Sequence, residues 1–311
     1  MKKNVLLVIT MLMLCISVFA AEKPTIYLWH NGQVKAYDVN GLPSAVNDAV
    51  NGDTIFLANG YYMTKGEYDN ESININKAIT LIGVGMGNNY RDAAQGGGSC
   101  IGKQYDVHIN SSNVSFENIY VYDVTLYRGD SCKFKKCGFM MITCRDNSVI
   151  MENCYIQGYV DNFTNSQFYN CYVAIGGGTN TNSEFVNCDI ATNSYYTTKP
   201  SISGSTFSSC RFNDDSGLTN CVLFNCLYNS NSIPGGSMTN CYKYDGEVTG
   251  LSTSVLQSNG YLGVDGTVVG RYGGETPFTV APNQPVVTSN SITLDYENKQ
   301  LNVSLEVKVG E

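Results

Sequence analysis

Six charged or titratable residues are dispersed through the middle of the chain: His108, Asp123, Arg128, Arg145, Asp146 and Asp161. If the fold brings two of these carboxylates and an arginine together, they can hold Ca²⁺ and position a uronate for proton abstraction. Left apart they are ordinary surface charges, and His108, between Val107 and Ile109, is an outward-pointing strand residue. A second set points to binding instead. Tyr120, Tyr155 and Tyr172 share one register position, Asp189 and Arg211 continue the same column, and Tyr169 lies on the strand before Tyr172. Aromatic faces there would receive pyranose rings, with Asp189 and Arg211 bonding hydroxyls. The plain alternative is that tyrosine favours strands and stacks on itself for stability.

Residues so far apart in sequence need a scaffold to bring them together, and a repeat supplies one. An apolar residue, one intervening residue, Asn and Cys recur at Met151 to Cys154, Phe168 to Cys171 and Phe185 to Cys188. Drifting versions end at Cys137, Cys210, Cys226 and Cys241, and Phe116 to Ile119 belongs to the same series. A period near seventeen with strand-like residues means one solenoid coil per repeat. Three positions before the Cys stand Phe116, Phe134, Met151, Phe168, Phe185, Phe207, Leu223 and Met238. Two after it stand Val121, Phe139, Ile156, Val173, Ile190 and Phe212, and five before it the residues are small or apolar. Because a strand alternates its faces, these columns point inward. The Asn column marks a sharp corner, since Asn tolerates the left-handed conformation and can bond its equivalents above and below. Lys136 and Ser209 interrupt it.

Coils about 4.8 Å apart with parallel side chains suit the torsion of a disulfide poorly. The cysteine column therefore reads as a ladder of free thiols acting as small buried apolar residues, with structural disulfides as the alternative. No CxxC spacing supports zinc, and no metal ligands are assigned. The glycine triplets at 96–98 and 176–178 read as turns and not as phosphate loops.

Lys2, Lys3 and the apolar run at 5–19 form a secretory signal with cleavage near Ala20. Removing it leaves eleven cysteines. No later stretch is apolar enough to span a bilayer. A net charge of -8 argues against a nucleic-acid partner. Only 15% of residues are charged, and Asn, Ser, Thr and Tyr fill the surface, as on extracellular β proteins. The expected organisation is a signal peptide at 1–20, a coil domain with its N-terminal cap at 21–264, and a C-terminal β cap or attachment segment at 265–311. In that last part, two alternating runs at 287–296 and 301–309 read as a hairpin that covers or flanks the last coil.

With these columns in place, the chain resembles the right-handed parallel β-helix proteins of the pectate-lyase-like superfamily, over most of its mature length. Residues 42–50 read as the short amphipathic helix that caps the open end in that family, and 52–57 as its first strand. The tail is similar to the ends of secreted β-helix proteins of Gram-negative gut commensals. The fold class implied is all-β: a right-handed single-stranded parallel β-helix with a short N-terminal capping helix and a C-terminal hairpin cap. The resemblance also implies two chemistries. Lyases of the superfamily use a calcium-binding acidic cluster and an Arg or Lys base. The related hydrolases use Asp residues with Gly-His-Gly and Arg-x-Lys segments. Here His30 and His108 are the only histidines and neither sits in Gly-His-Gly, while Asp214 and Asp215 fall in a turn.

The expected function is a secreted or periplasmic, non-catalytic protein at the cell envelope. Its partners would be a polysaccharide or cell-surface glycan and, with it, envelope proteins, and it would need no cofactor. The alternative is a polysaccharide lyase acting on uronate-containing glycans, with Ca²⁺. A purely structural stalk is a third reading.

Overall fold

The computed structural model describes residues 26–62, 71–86, 98–192, 201–213, 217–229, 236–244, 246, 248, 251–275, 277–278, 285–295 and 300–309. The expected signal peptide, Asp214, Asp215, Gly96 and Gly97 lie outside the described residues.

The chain winds into a parallel β-solenoid. Strands from successive coils pair in parallel in two sheets, one of twelve strands that includes an antiparallel N-terminal hairpin and one of eleven, and the apolar columns fill the space between them. The first wall is formed by strands such as Cys132–Lys135, Val149–Glu152, Gln167–Tyr169 and Glu184–Val186. Their register places Phe134 beside Met151, Met151 beside Phe168 and Phe168 beside Phe185. All four are buried. Phe168, Phe185 and Phe207 stack face to face at centroid distances of 4.6 Å. Phe116 and Phe134 meet edge to face. Burying each such ring stabilises the stack by roughly 1.5–3 kcal/mol.

The corners follow from the asparagine column. Asn118, Asn153, Asn170, Asn187, Asn225 and Asn240 all have φ between 50° and 55°, as do Lys136 and Ser209, which interrupt the sequence pattern. A second left-handed corner, five residues earlier, is occupied by Asn113, Ser131, Asn165, Asn182, Gly204 and Asn220. The sequence reading missed it because Ser131 and Gly204 obscure the column. Between the two corners, Ser166, Ser183 and Ser205 point inward. Each hydroxyl accepts the backbone N–H of the preceding coil at 3.0 Å and donates to a carbonyl two residues back. These three hydroxyls thus enter the core paired.

The thiol ladder is present. All the described cysteines are free, and those from Cys137 to Cys226 are buried. Cys154, Cys171, Cys188, Cys210 and Cys226 each lie 3.2–3.5 Å from a main-chain carbonyl oxygen of the preceding coil. Burial pushes the thiols of Cys137, Cys171 and Cys210 well above their ordinary range.

After the Asn corner, strands such as Tyr120–Leu126, Gly138–Thr143 and Tyr155–Asp161 start a second wall and then bend. The bend appears as consecutive outward residues, Tyr122 and Asp123 or Met140 and Met141, between inward Val121 and Val124 or Phe139 and Ile142. The second half of each strand makes a third wall.

Helix Leu42–Asp48 buries Leu42, Ala45 and Val46 and packs on strand Glu71–Ile75 near the N-terminal end. An antiparallel hairpin, Ile26–His30 with Gln33–Tyr37, precedes it and pairs with Thr54–Leu57. Asn31 and Gly32, both at positive φ, make its turn. This hairpin was not expected from the sequence. At the other end, residues 251–275 fold back along the outside of the coils. Strands Pro285–Asp295 and Gln300–Val309 form the expected antiparallel hairpin. Among the described residues, neither hairpin strand joins a solenoid sheet.

Candidate functional site

One column runs the length of the second wall's outer face: Tyr61, Cys100, Tyr120, Gly138, Tyr155, Tyr172, Asp189, Arg211, Leu227 and Tyr242. It contains most of the residues expected to contact a glycan, but most of them are covered. Tyr120 is 1% exposed and packs with Met86 and Cys100. Its ring lies over Gly138, where an added Cβ would come within 2.4 Å of it, so the glycine makes room for the tyrosine.

Asp189 and Arg211 are 1% and 2% exposed, which corrects their assignment to an accessible binding face. They point out from the sheet as expected, but the returning C-terminal segment lies on top of them. Arg211 donates to both Asp189 oxygens, at 2.8 and 2.5 Å, and to the Val248 carbonyl at 2.8 Å. Arg271 of the returning segment reaches Asp189 at 2.5 Å, and Asn213 donates to it at 2.8 Å. The rings of Tyr272 and Phe278 flank the Arg271 guanidinium. Leu256, Val268 and Val269 bury Leu227 in the same way. Asn187 of the corner column donates to the Gly273 carbonyl at 2.5 Å, a role served by the returning strap and not by the neighbouring asparagines.

Tyr169 stands on the first wall, across the Asn170 corner, and donates to Glu184 at 2.9 Å. Of the residues expected to face a glycan on this wall, Tyr155 and Tyr172 remain half-buried. They stack on each other with centroids 4.8 Å apart at 26°. Self-stacking occupies one face of each ring, a face that a sugar would otherwise use.

The third wall gathers a different set. Asp106, Asp123, Met141 and Tyr159 form one outer column. His108, Thr125, Thr143 and Asp161 form the next. Tyr127 and Arg145 stand one outward position further, beyond buried Leu126 and Cys144. The His108 ring meets Tyr127 edge-on at 5.1 Å, and the Arg145 guanidinium lies 4.3 Å above the same ring. Inward Val107, Val124, Ile142 and Val160 anchor the wall from beneath. Four of the six dispersed candidates, His108, Asp123, Arg145 and Asp161, therefore share one surface. Arg128 and Asp146 sit exposed in the turns that follow it. Asn147, buried in that turn, accepts from the Gly129 N–H and donates to the Leu126 and Cys144 carbonyls, holding the end of the wall in place.

The electrostatics of this wall are one-sided. Burial, with the charges of Asp106 and Asp161 added, pushes the Asp123 carboxyl up to about 6, against a hydrogen bond from the Val124 backbone. Asp161 is also raised by burial, opposed by hydrogen bonds from Thr143 and Asn162. It is 8% exposed, and its Oδ1 has no hydrogen-bond partner. Among the described residues, no group of three His, Cys, Asp or Glu side chains is placed to hold a metal ion.

Sequence reasoning missed Asp106, Thr125, Tyr127, Thr143 and Tyr159. Counting from the cysteine column fails across the bend, because four residues separate Ile101 from Asp106 where one separates Val121 from Asp123. Period-two alternation backward from His108 would have found Asp106. Comparison with family models, with curated proteins and with solved structures finds no match to this chain.

Proposed function

We propose that this chain is a secreted, non-catalytic β-helix protein of the cell envelope, in the manner of the pectate-lyase-like superfamily, and that it binds a glycan along its third wall. The observation that carries this reading is the alignment of polar columns over successive coils: Asp106 and Asp123, then His108, Thr125, Thr143 and Asp161, then Tyr127 and Arg145. Coils spaced by about 4.8 Å repeat at close to the length of one sugar unit, so a chain lying along the axis meets equivalent groups at each step. Rigid strands pre-order these side chains, which lowers the entropic cost of binding. The apolar leader and the uncharged surface support an extracellular setting.

The lyase alternative fits less well. A uronate carboxylate would face Asp106, Asp123 and Asp161, while Arg145 is engaged on Tyr127. A glycan array run beside an absorbance assay for unsaturated uronates tests both readings. Binding without absorbance change, lost in Tyr127→Ala combined with Thr143→Ala but kept in Tyr155→Ala combined with Tyr172→Ala, is the expected result. Absorbance growth, or binding that depends on the tyrosine pair instead, overturns the assignment.

A further inference from the structure

We infer that the first wall carries a second sugar site, separate from the third wall: a polar cleft across three coils that takes a neutral hexose unit of a glycan.

The cleft lies along the left-handed corner that precedes the inward serines. It has a volume of about 260 Å³ and is lined by Asn165 and Gln167 on one coil, Asn182 and Glu184 on the next, and Gly204 and Thr206 on the third. That is below the roughly 300–1,000 Å³ of sites that enclose drug-sized ligands, so it suits one sugar unit at a time. The parallel register sets Gln167, Glu184 and Thr206 side by side on the outer face. Gly204 makes the indentation. It takes the corner at φ 61° without a side chain, where Asn165, Asn182 and Asn220 fill the same position in other coils. A Cβ at 204 would stand 2.6 Å from the Asn182 Oδ1, so the Asn182 carboxamide leans into the space that the glycine leaves.

The polar groups suit hydroxyls. Glu184 is the one carboxylate of the lining, and its Oε2 accepts from Tyr169 at 2.9 Å and from Gln167 at 3.5 Å. These bonds hold the carboxylate in place and leave its other oxygen to a ligand. Asn165 and Asn182 stand exposed, and their carboxamides have no side-chain partner among the described residues. A carboxamide offers donors and an acceptor together, which matches the two roles of a sugar hydroxyl. A uronate would set its charge against Glu184. Elsewhere on this wall the outer positions are already paired or apolar, as at Lys135 with Glu152 and at exposed Val222.

Amide shift mapping by NMR on the full mature chain tests the inference, with neutral gluco-, manno- and galacto-tetraoses and galacturonate tetraose as probes. At least one neutral tetraose should shift the amides of Asn165, Asn182, Gly204 and Thr206 and bind more tightly than the galacturonate. Gly204→Asn places in the notch the residue that other coils carry at this corner, so the backbone tolerates it and the melting temperature should hold. It should weaken cleft binding about tenfold by filling the space and displacing Asn182. Glu184→Gln keeps the shape and should weaken it about threefold, the loss expected for one hydrogen-bond acceptor. Glu152→Gln, on the same wall outside the cleft, should change nothing. Shifts confined to the third wall overturn the cleft and leave the proposed function standing. Cleft shifts that survive Gly204→Asn, or galacturonate bound as tightly as the neutral probes, overturn it as well. If no neutral tetraose moves any amide, the cleft falls, and with a blank array the third-wall reading falls too.

Discussion

The second and third walls lie on opposite sides of one bend and draw on the same residue types, yet they end in opposite states. On the second wall, Asp189 is enclosed by Arg211 and Arg271 under a returning strap and functions as a clasp. On the third, burial raises the Asp123 carboxyl, with the charges of Asp106 and Asp161 added, while Arg145 lies over a tyrosine. The difference is not one of composition. A buried carboxylate with two guanidinium partners is structural, whereas the Asp123 and Asp161 carboxyls, raised chiefly by burial, have no guanidinium partner among the described residues.

The largest effect expected of any change to this comparison comes from Asp189→Ala. It strands two buried guanidinium groups and should cost about 3–5 kcal/mol in urea unfolding. Limited proteolysis should then cut within 251–275 faster than in the unsubstituted protein. If stability is unchanged, the clasp is not what holds the strap.

On the third wall the effect should have the opposite sign. Asp123 titrates near 6 when folded and near 3.9 when unfolded, so the folded state binds more protons between those values. Its contribution to stability therefore falls as pH rises through that window and stays low above it. Asp123→Asn should raise the melting temperature at pH 7.5, with little change at pH 4. A melting temperature lowered at both pH values would mean that the carboxylate is paired after all.

Smaller effects test the frame that both walls share. Asn153→Ala forces a side chain with no local hydrogen bonding into the left-handed region and should cost about 1–2 kcal/mol. Asn153→Gly should be close to neutral, and equal losses would show that the side chain, not the backbone, sets the corner. Last, alkylation of the native protein should leave Cys137 through Cys226 unlabelled and reach Cys241, which is only partly buried. Mass spectrometry without reduction should find no coil-to-coil disulfide, and one such bond would end the thiol-ladder account.

Much of the architecture could be read directly because a solenoid repeats its own local rules. Phe168, Phe185 and Phe207 are buried for the same reason at each turn, and every residue of the Asn column, including Lys136 and Ser209, takes the same left-handed turn. The helix at 42–48 was legible from its amphipathic pattern and Pro43. The candidate site was less legible. Outward direction could be assigned for Asp189 and Arg211, but alternation says nothing about what later covers an outer face. The strap that does so lies sixty residues or more downstream of Arg211 at Arg271. Tyr155 and Tyr172 were correctly placed as neighbours, and only the ring geometry shows that each turns one face to the other.

Taken alone, the sequence determined the coil, its inward columns and its corners, because each depends on residues within one turn and on a register that repeats. Tertiary structure decided which outer wall the returning strap seals. That outcome depends on a non-repeating segment folding back and on bends of unequal length. Both act through contacts between residues far apart in the chain, where periodicity carries no information.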